Sequence, residues 1–232
     1  MDEDTAKKWV KDKENQKKFL KALFKDYPPN KKKLSIFMAG IPGAGKTEFA
    51  ENTINKVKPK LVPIEHDKLV EYIPGYKPED CYNYRKAGSV LVTRLLDECL
   101  KNGYSFIFDG TLSHEHGYRN IQRTLKAGYF VQVVYIVQDA ERAWELTGDR
   151  ELVKKRAIEK KGFIDTCNKI NKSLSVIFKK FKDLDNFGIW IFKKNGIISA
   201  SAATSIIYSQ EIGSANEVEK ALSETYNVEE LD

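Results

Sequence analysis

The sequence predicts an α/β fold, a parallel sheet with helices on both faces, with an extra N-terminal helix and a late β-hairpin added to it. Three observations predict this. Short apolar runs at 34–39, 61–64, 105–108, 130–137 and 189–192 alternate with stretches of helical periodicity, which is the pattern of strand–helix–strand units. The run Phe130–Val137 is β-branched and nearly continuous, as a strand buried on both faces must be. Between the first strand and the next helix stands Gly40-Ile41-Pro42-Gly43-Ala44-Gly45-Lys46-Thr47, which fits G-x-x-x-x-G-K-[ST] in the strand–loop–helix context that gives the motif its meaning.

In chain order, residues 5–26 read as one amphipathic helix with Trp9, Phe19, Leu20, Leu23 and Phe24 as its apolar stripe, stopped at Tyr27-Pro28-Pro29-Asn30. The helix after the glycine loop runs to about Val57, before Pro59. The second strand ends in Glu65-His66-Asp67, and residues 72–78 form a loop. A helix over 82–102 carries Val90, Leu91, Leu95, Leu96 and Leu100 inward and ends at Gly103. The third strand terminates in Asp109-Gly110-Thr111, followed by a helix over 115–127. Asp139 caps the helix after the fourth strand, and a long helix covers about 163–182. Asn195-Gly196, between the last strand and Ile197-Ile198, is a hairpin signal. The acidic tail holds one helix at 216–226. Three parts follow: a basic helix at 1–32, the P-loop domain at 33–208, and an acidic tail or helix at 209–232.

Composition narrows the class. Of 232 residues 41% are hydrophobic and 31% charged, an ordinary globular balance. No apolar run approaches the ~18 residues of a membrane span, and the acidic start Met1-Asp2-Glu3-Asp4 does not read as a secretory signal. Cys81, Cys99 and Cys167 are odd in number and widely spaced, which suits neither a disulfide framework nor a zinc site, so a reducing cytoplasm is expected. The net charge of +6 is uneven: residues 1–33 hold eleven lysines against six acids, and residues 209–232 hold seven acids against one lysine. A basic arm suits nucleic acid or an anionic substrate, but few aromatics and no nucleic-acid motif accompany it, so a solvated helix face is the preferred reading.

The chemistry implied is phosphoryl transfer, which needs a phosphate cradle with Mg²⁺, a base for the acceptor's proton, and positive charge on the moving phosphoryl group. Gly40, Ile41, Pro42, Gly43, Ala44 and Gly45 cradle the phosphates of ATP or GTP with backbone N–H groups, Lys46 reaches the β- and γ-phosphates, and the Thr47 hydroxyl ligates Mg²⁺. Asp67 is the candidate base, with Glu65 its rival and helix capping its structural alternative. Asp109 contacts Mg²⁺ through water or binds substrate; its alternative is a turn before Gly110. Arg150 and Arg156 are candidates for a lid closing over the nucleotide, set against a reading as exposed helix charges. Arg119 and Arg85 are weaker substrate-side candidates, and His114 and His116 read as loop residues rather than metal ligands.

Together these residues resemble the zeta-toxin family of P-loop kinases. Gly40–Thr47 matches its phosphate loop, and Ile64-Glu65-His66-Asp67 resembles its strand-end I-D-x-D with Glu65 replacing the first acid. Ile73-Pro74-Gly75-Tyr76, Phe108-Asp109-Gly110-Thr111 and Ala143-Trp144-Glu145-Leu146-Thr147-x-x-Arg150-Glu151 are similar to further family segments. Arg156 falls where a second lid arginine is expected, although Lys154-Lys155-Arg156-Ala157 departs from the usual Gly-Arg pair. The resemblance spans roughly residues 33–198. It implies an ATP-dependent kinase acting on a hydroxyl of a nucleotide sugar such as UDP-N-acetylglucosamine, with Asp67 as acceptor base, Arg150 and Arg156 on the γ-phosphate, Glu65, Asp67, Asp109, Thr111 and Arg119 toward the acceptor, and an antitoxin partner over the nucleotide site. Two alternatives stand beside it: a polynucleotide 5′-hydroxyl kinase, which would give the basic arm a purpose, and a regulatory protein that binds ATP without turnover.

Overall fold

A computed structural model of the chain describes residues 1–29, 33–54, 56–57, 60–154, 159–193, 215–223, 226 and 228, with backbone only at 149–154, 215 and 216. In chain order the elements are α1 (Glu3–Lys11), α2 (Lys13–Phe24), β1 (Leu34–Ala39), α3 (Lys46–Ile54), β2 (Val62–Glu65), α4 (His66–Val70), a 3₁₀ turn at Pro78–Asp80, α5 (Cys81–Asn102), β3 (Phe106–Asp109), α6 (Glu115–Lys126), β4 (Phe130–Val137), α7 (Ala140–Lys154), α8 (Lys160–Phe181), β5 (Phe187–Lys193) and α9 (Ala215–Ser223). Among the described residues no helix is long and apolar enough to cross a membrane.

The described strands form one five-stranded sheet in the order β2-β3-β1-β4-β5, every neighbouring pair parallel. β1 is central and buried from its second residue on, and β4 is buried over all but its two ends, as their apolar runs require. Phe37 of β1 stacks on its directly paired neighbour Phe108 and meets Phe106 edge-on, with centroids 5.4 and 5.7 Å apart. Right-handed crossovers put α3 on one face and α5, α6 and α8 on the other. Two contacts of β5 agree. Phe187 meets Phe181 of α8, while Phe192, an odd number of residues on and so on the opposite face, meets Phe49 of α3.

The N-terminal segment is two helices, not the single one expected over 5–26. The break is Asp12, whose carboxylate accepts the Asn15 N–H at 2.9 Å and caps α2. A carboxylate that satisfies a helix start competes with continuing the previous helix. Ala6 and Val10 of α1 and Phe19, Leu20 and Leu23 of α2 are buried, and α1 packs on α5. Each larger apolar side chain contributes about 1.5–3 kcal/mol on burial. The Lys86–Glu3 pair at 2.9 Å, half-exposed, is an ion pair of the kind worth about 0–1 kcal/mol. The pair of helices is therefore held on by its apolar stripe more than by its ion pairs.

At the other end, α9 lies on α8. Val218 and Leu222 are buried, Lys182 pairs with Glu219 at 2.9 Å, and the Asn168 side chain exchanges two hydrogen bonds with the backbone of Val228. The Tyr226 hydroxyl donates to the Gln138 carbonyl at 2.8 Å, so the tail reaches the carboxyl end of β4. The expected tail helix is thus present, slightly shifted, while the hairpin expected at Asn195-Gly196 lies outside the described residues. Cys99 and Cys167 are buried free thiols; burial pushes the Cys167 thiol up to about 12, so neither has a reactive thiolate at neutral pH.

Candidate functional site

The glycine loop leaves the carboxyl end of β1, the strand at which chain progression across the sheet reverses. From β1 the chain goes out to β2 and back through β3, then passes over β1 to β4 and β5. Such a switch point opens a crevice outside the strand ends. The loop runs into α3 at Lys46, so a helix N-terminus and its partial positive charge face this crevice. Gly40, Gly43 and Gly45 take φ of +152°, +76° and +87°, while Ile41 and Ala44 are fully buried and anchor the loop. Lys46 Nζ donates to the Ile41 carbonyl at 2.9 Å, folding back over its own loop.

Helix α7 closes the other side. Its start is capped by Asp139, whose carboxylate accepts the Arg142 N–H at 3.0 Å, as expected from sequence. One turn later the fully buried Ala143 lies against the loop. A Cβ at Gly43 would sit 2.1 Å from the Ala143 carbonyl oxygen, so only glycine allows this approach. Position 150 follows seven residues on, at nearly the same angle around the helix and about 10 Å along it. Arg150 therefore lies on a helix seated on the loop, and Arg156 lies outside the described residues.

The carboxylates gather at the ends of β2 and β3. Glu65 and Asp109 are the last residues of these strands and are directly paired in register. The Thr47 hydroxyl donates to Asp109 Oδ2 at 3.1 Å, joining the loop helix to the strand end. Glu65 is mostly buried, and burial pushes its carboxyl above the usual range, with nearby Asp109 adding to the rise and Lys68 opposing it. Lys68 bridges Glu65 and Glu51 at 3.0 Å each, tying α4 to α3. The N-cap residue of α4 is Glu65, and its side chain makes no capping bond, so Asp67 does not cap this helix. Asp67 sits half-exposed in the first turn, with Oδ1 3.3 Å from His66 Nδ1. Thr111 holds the loop through its backbone, its carbonyl accepting the Gly40 N–H at 3.4 Å, and its hydroxyl pairs with Ser113 at 2.9 Å.

Other expected residues stand apart from this cluster. Arg119 is an exposed residue of α6 held by Glu115 at 2.7 and 3.1 Å, the ordinary i,i+4 pair of a helix surface. The Arg85 guanidinium lies over the Tyr82 ring, 4.6 Å from its centroid. His114 is the N-cap residue of α6 without a side-chain capping bond. Among the described residues no group of three or more His, Cys, Asp or Glu side chains could hold a metal ion. A cleft of about 400 Å³ lies between the start of α6 and α8, lined by Ser113, Glu115, Tyr118, Lys169, Lys172 and Ser173 among others. Through Ser113 and Thr111 it adjoins the end of β3.

Two participants escaped the sequence reading. His66 Nε2 lies 2.9 Å from the Arg85 carbonyl on α5, and a Cβ at Gly88 would sit 2.4 Å from that same nitrogen. Gly88 costs about 1 kcal/mol against alanine inside a helix. Its place in the long, otherwise glycine-free α5 was the signal that another group approaches there.

The burial of Glu65, which its Lys68 bridge offsets only in part, predicts a pH-dependent effect. A carboxyl raised in the folded state contributes stability below its unfolded value, and that stability is lost as pH rises through the folded value. Glu65→Gln is expected to raise the melting temperature at pH 7 and to leave it unchanged at pH 4. Thermal unfolding at the two pH values checks this, and a loss at pH 7 would mean that the Lys68 bridge outweighs burial.

Comparison with known proteins agrees with this geometry. The family model described as Zeta toxin matches residues 20–202. The chain belongs to the zeta toxin family. Among solved structures, a chain from the PezAT chromosomal toxin–antitoxin system of Streptococcus pneumoniae is 21% identical with a TM-score of 0.62, over 92% of this chain and 96% of that one. A Chloroflexus aurantiacus protein described as a candidate kinase is 15% identical with a TM-score of 0.54, over 79% of this chain and 96% of that one. The AvrRxo1-ORF1:ORF2 complex contributes a chain 14% identical with a TM-score of 0.58, over 96% of this chain and 82% of that one. At these identities the three share the fold of this zeta-toxin-family chain. No curated protein sequence matches it.

Proposed function

We propose that this protein is a kinase that moves the γ-phosphoryl group of ATP or GTP onto a hydroxyl of a small acceptor, a nucleotide sugar such as UDP-N-acetylglucosamine, and that it is the toxin of a toxin–antitoxin pair in the cytoplasm. The observation that carries the reading is the junction of the glycine loop with the strand-end acids, in which Thr47 bonds Asp109 and Glu65 pairs with Asp109 in register. In this reading Lys46 leaves the Ile41 carbonyl for the β- and γ-phosphates when nucleotide enters. The Thr47 hydroxyl and the Asp109 carboxylate, 3.1 Å apart, are hard oxygen donors of the kind that hold Mg²⁺ beside phosphates and water. The ion, when bound, draws charge from the β- and γ-phosphates. Asp67, half-exposed at the crevice, takes the acceptor's proton. Arg150 and Arg156 supply positive charge to the moving phosphoryl group, Arg150 from the helix seated on the loop.

The acceptor side is assigned to Glu65, Thr111 and the adjoining cleft. Lys169 and Lys172 suit the diphosphate of a nucleotide sugar, and Arg119 at the first turns of α6 is within the same neighbourhood of the chain. The toxin–antitoxin setting of the pneumococcal relative supports an antitoxin that covers the nucleotide crevice. The exposed lysines of α1 and α2 favour one second reading, a kinase for nucleic-acid 5′-hydroxyls.

The test is incubation with Mg-ATP and a panel holding UDP-N-acetylglucosamine, related nucleotide sugars, free nucleosides and a 5′-hydroxyl oligonucleotide, read by mass spectrometry for one added phosphate. Phosphate on a nucleotide sugar is the expected result. Phosphate on the oligonucleotide would transfer the assignment to the second reading, and no transfer with nucleotide bound would overturn both.

A further inference from the structure

His66 makes two contacts that its protonation state must satisfy at once. Nε2 lies 2.9 Å from the Arg85 backbone carbonyl, and Nδ1 lies 3.3 Å from Asp67 Oδ1. A carbonyl oxygen only accepts, so Nε2 carries a proton and donates. Nδ1 facing an ionised carboxylate is then favourable only with one further proton between them. Without it, a lone pair on nitrogen faces a carboxylate oxygen. The imidazole is also seated with purpose. The missing Cβ of Gly88 leaves room that any other residue of α5 would fill, within 2.4 Å of Nε2 and 2.7 Å of Cε1. Charged groups next to it include Asp67 and Lys68 on its own helix, Glu65 before it at the end of β2, and Arg85 on α5, whose guanidinium is turned over Tyr82.

We propose that His66 and Asp67 act as a single base that takes up one proton, shared between Nδ1 and Oδ1. The proposal deepens the kinase reading and rests on it for the identity of the proton. The acceptor's oxygen forms a bond to the γ-phosphorus, and the bond from that phosphorus to the bridging oxygen breaks, its electron pair leaving with the nucleoside diphosphate. The hydroxyl proton passes to the Asp67 carboxylate and comes to rest on Nδ1, producing an imidazolium–carboxylate pair. Release of product and loss of that proton to water restore neutral imidazole beside the carboxylate. An aspartate alone titrates near pH 4, whereas a pair that places the proton on imidazole titrates nearer neutrality, where a general base works best.

Two measurements test this. The first is a pH titration followed by NMR of protein labelled with ¹⁵N-histidine. His66 is expected to bind its second proton at higher pH than His114 or His116, and Asp67→Asn is expected to move that titration downward by a unit or more without moving the other two. An unmoved His66 titration overturns the shared proton, and this readout needs no acceptor, so it stands apart from failure of the kinase reading. The second is the pH profile of transfer from Mg-ATP to UDP-N-acetylglucosamine. His66→Asn keeps an amide where Nδ1 stood, and His66→Gln keeps one where Nε2 stood, but neither amide takes up a proton. Both are expected to lower kcat by about 10-fold or more, a part of the roughly 10²–10⁴-fold of full general-base help, and to shift the rising limb toward pH 4 with KM little changed. Gly88→Ala, which displaces the ring and leaves both residues in place, is expected to follow the same direction. A His66→Asn enzyme with the unaltered pH profile would make His66 a positioning residue only and overturn the proposal.

Discussion

Asp67→Asn is expected to lower kcat by about 10²–10⁴-fold, the usual contribution of a positioned general base, with nucleotide affinity unchanged. The substitution is isosteric and removes the negative charge together with the capacity to take a proton. Its structural cost is small, because Asp67 is half-exposed and is not the capping residue of α4, a place held by Glu65. In the proposed reading the nucleotide meets Lys46, Thr47 and the glycine loop, which hold the phosphates through the loop's own backbone and side chains. Calorimetry for nucleotide binding and single-turnover kinetics with the acceptor separate the two quantities. Full activity in this variant would pass the role to Glu65, whose raised carboxyl lies at the neighbouring strand end. Equal loss of binding and turnover would make Asp67 part of the fold instead.

Gly43→Ala is expected to weaken nucleotide binding about 100-fold or more and to lower kcat as well. The residue has φ of +76°, where a side chain costs about 1–3 kcal/mol, and its new Cβ would overlap the Ala143 carbonyl at 2.1 Å. Backbone cannot yield as a flexible side chain would, so loop and α7 must part. Overpacking of this kind costs about 1–3 kcal/mol more, and a sum near 2.7 kcal/mol corresponds to about 100-fold in affinity. Because Arg150 rides on the same helix, transfer suffers together with binding. Gly148→Ala, also on α7, is the control: nothing lies within 4 Å of its Cβ, and alanine there favours the helix. A Gly43→Ala protein that binds nucleotide normally would show that α7 slides freely over the loop.

The core of the molecule was legible because its signals are local and redundant. The apolar run of β4 and the motif at Gly40–Thr47 each stand within a few residues of sequence, and both elements formed where expected. The break at Asp12 was legible in principle, since a carboxylate three residues before Asn15 is a cap and no apolar residue stands between Val10 and Phe19, but the apolar residues on either side read as one stripe. The site was legible in its acids and opaque in its supports. Glu65 and Asp109 end their strands and Asp67 comes two residues after one, whereas the seat of His66 depends on Arg85 and Gly88, and the seat of Gly43 depends on Ala143. Those partners are brought together by tertiary packing across 19 residues or more, a distance at which no periodicity in the chain speaks.

The central strand has a further consequence for how the protein is born. β1 is the first strand made, yet its neighbours arrive late: its first two residues, Leu34 and Ser35, bond to Ser105 and Phe130, 71 and 95 residues downstream. At translation speeds of roughly 5–20 residues per second, β1 waits about 5–20 seconds on the ribosome without a complete set of partners. The glycine loop that follows it is shaped by Thr111 and by Ala143, the second of which comes later still. A nascent chain therefore carries every residue of the phosphate cradle long before it carries the cradle. The shape of the glycine loop is withheld, by strand order alone, until synthesis has passed β4 and begun α7.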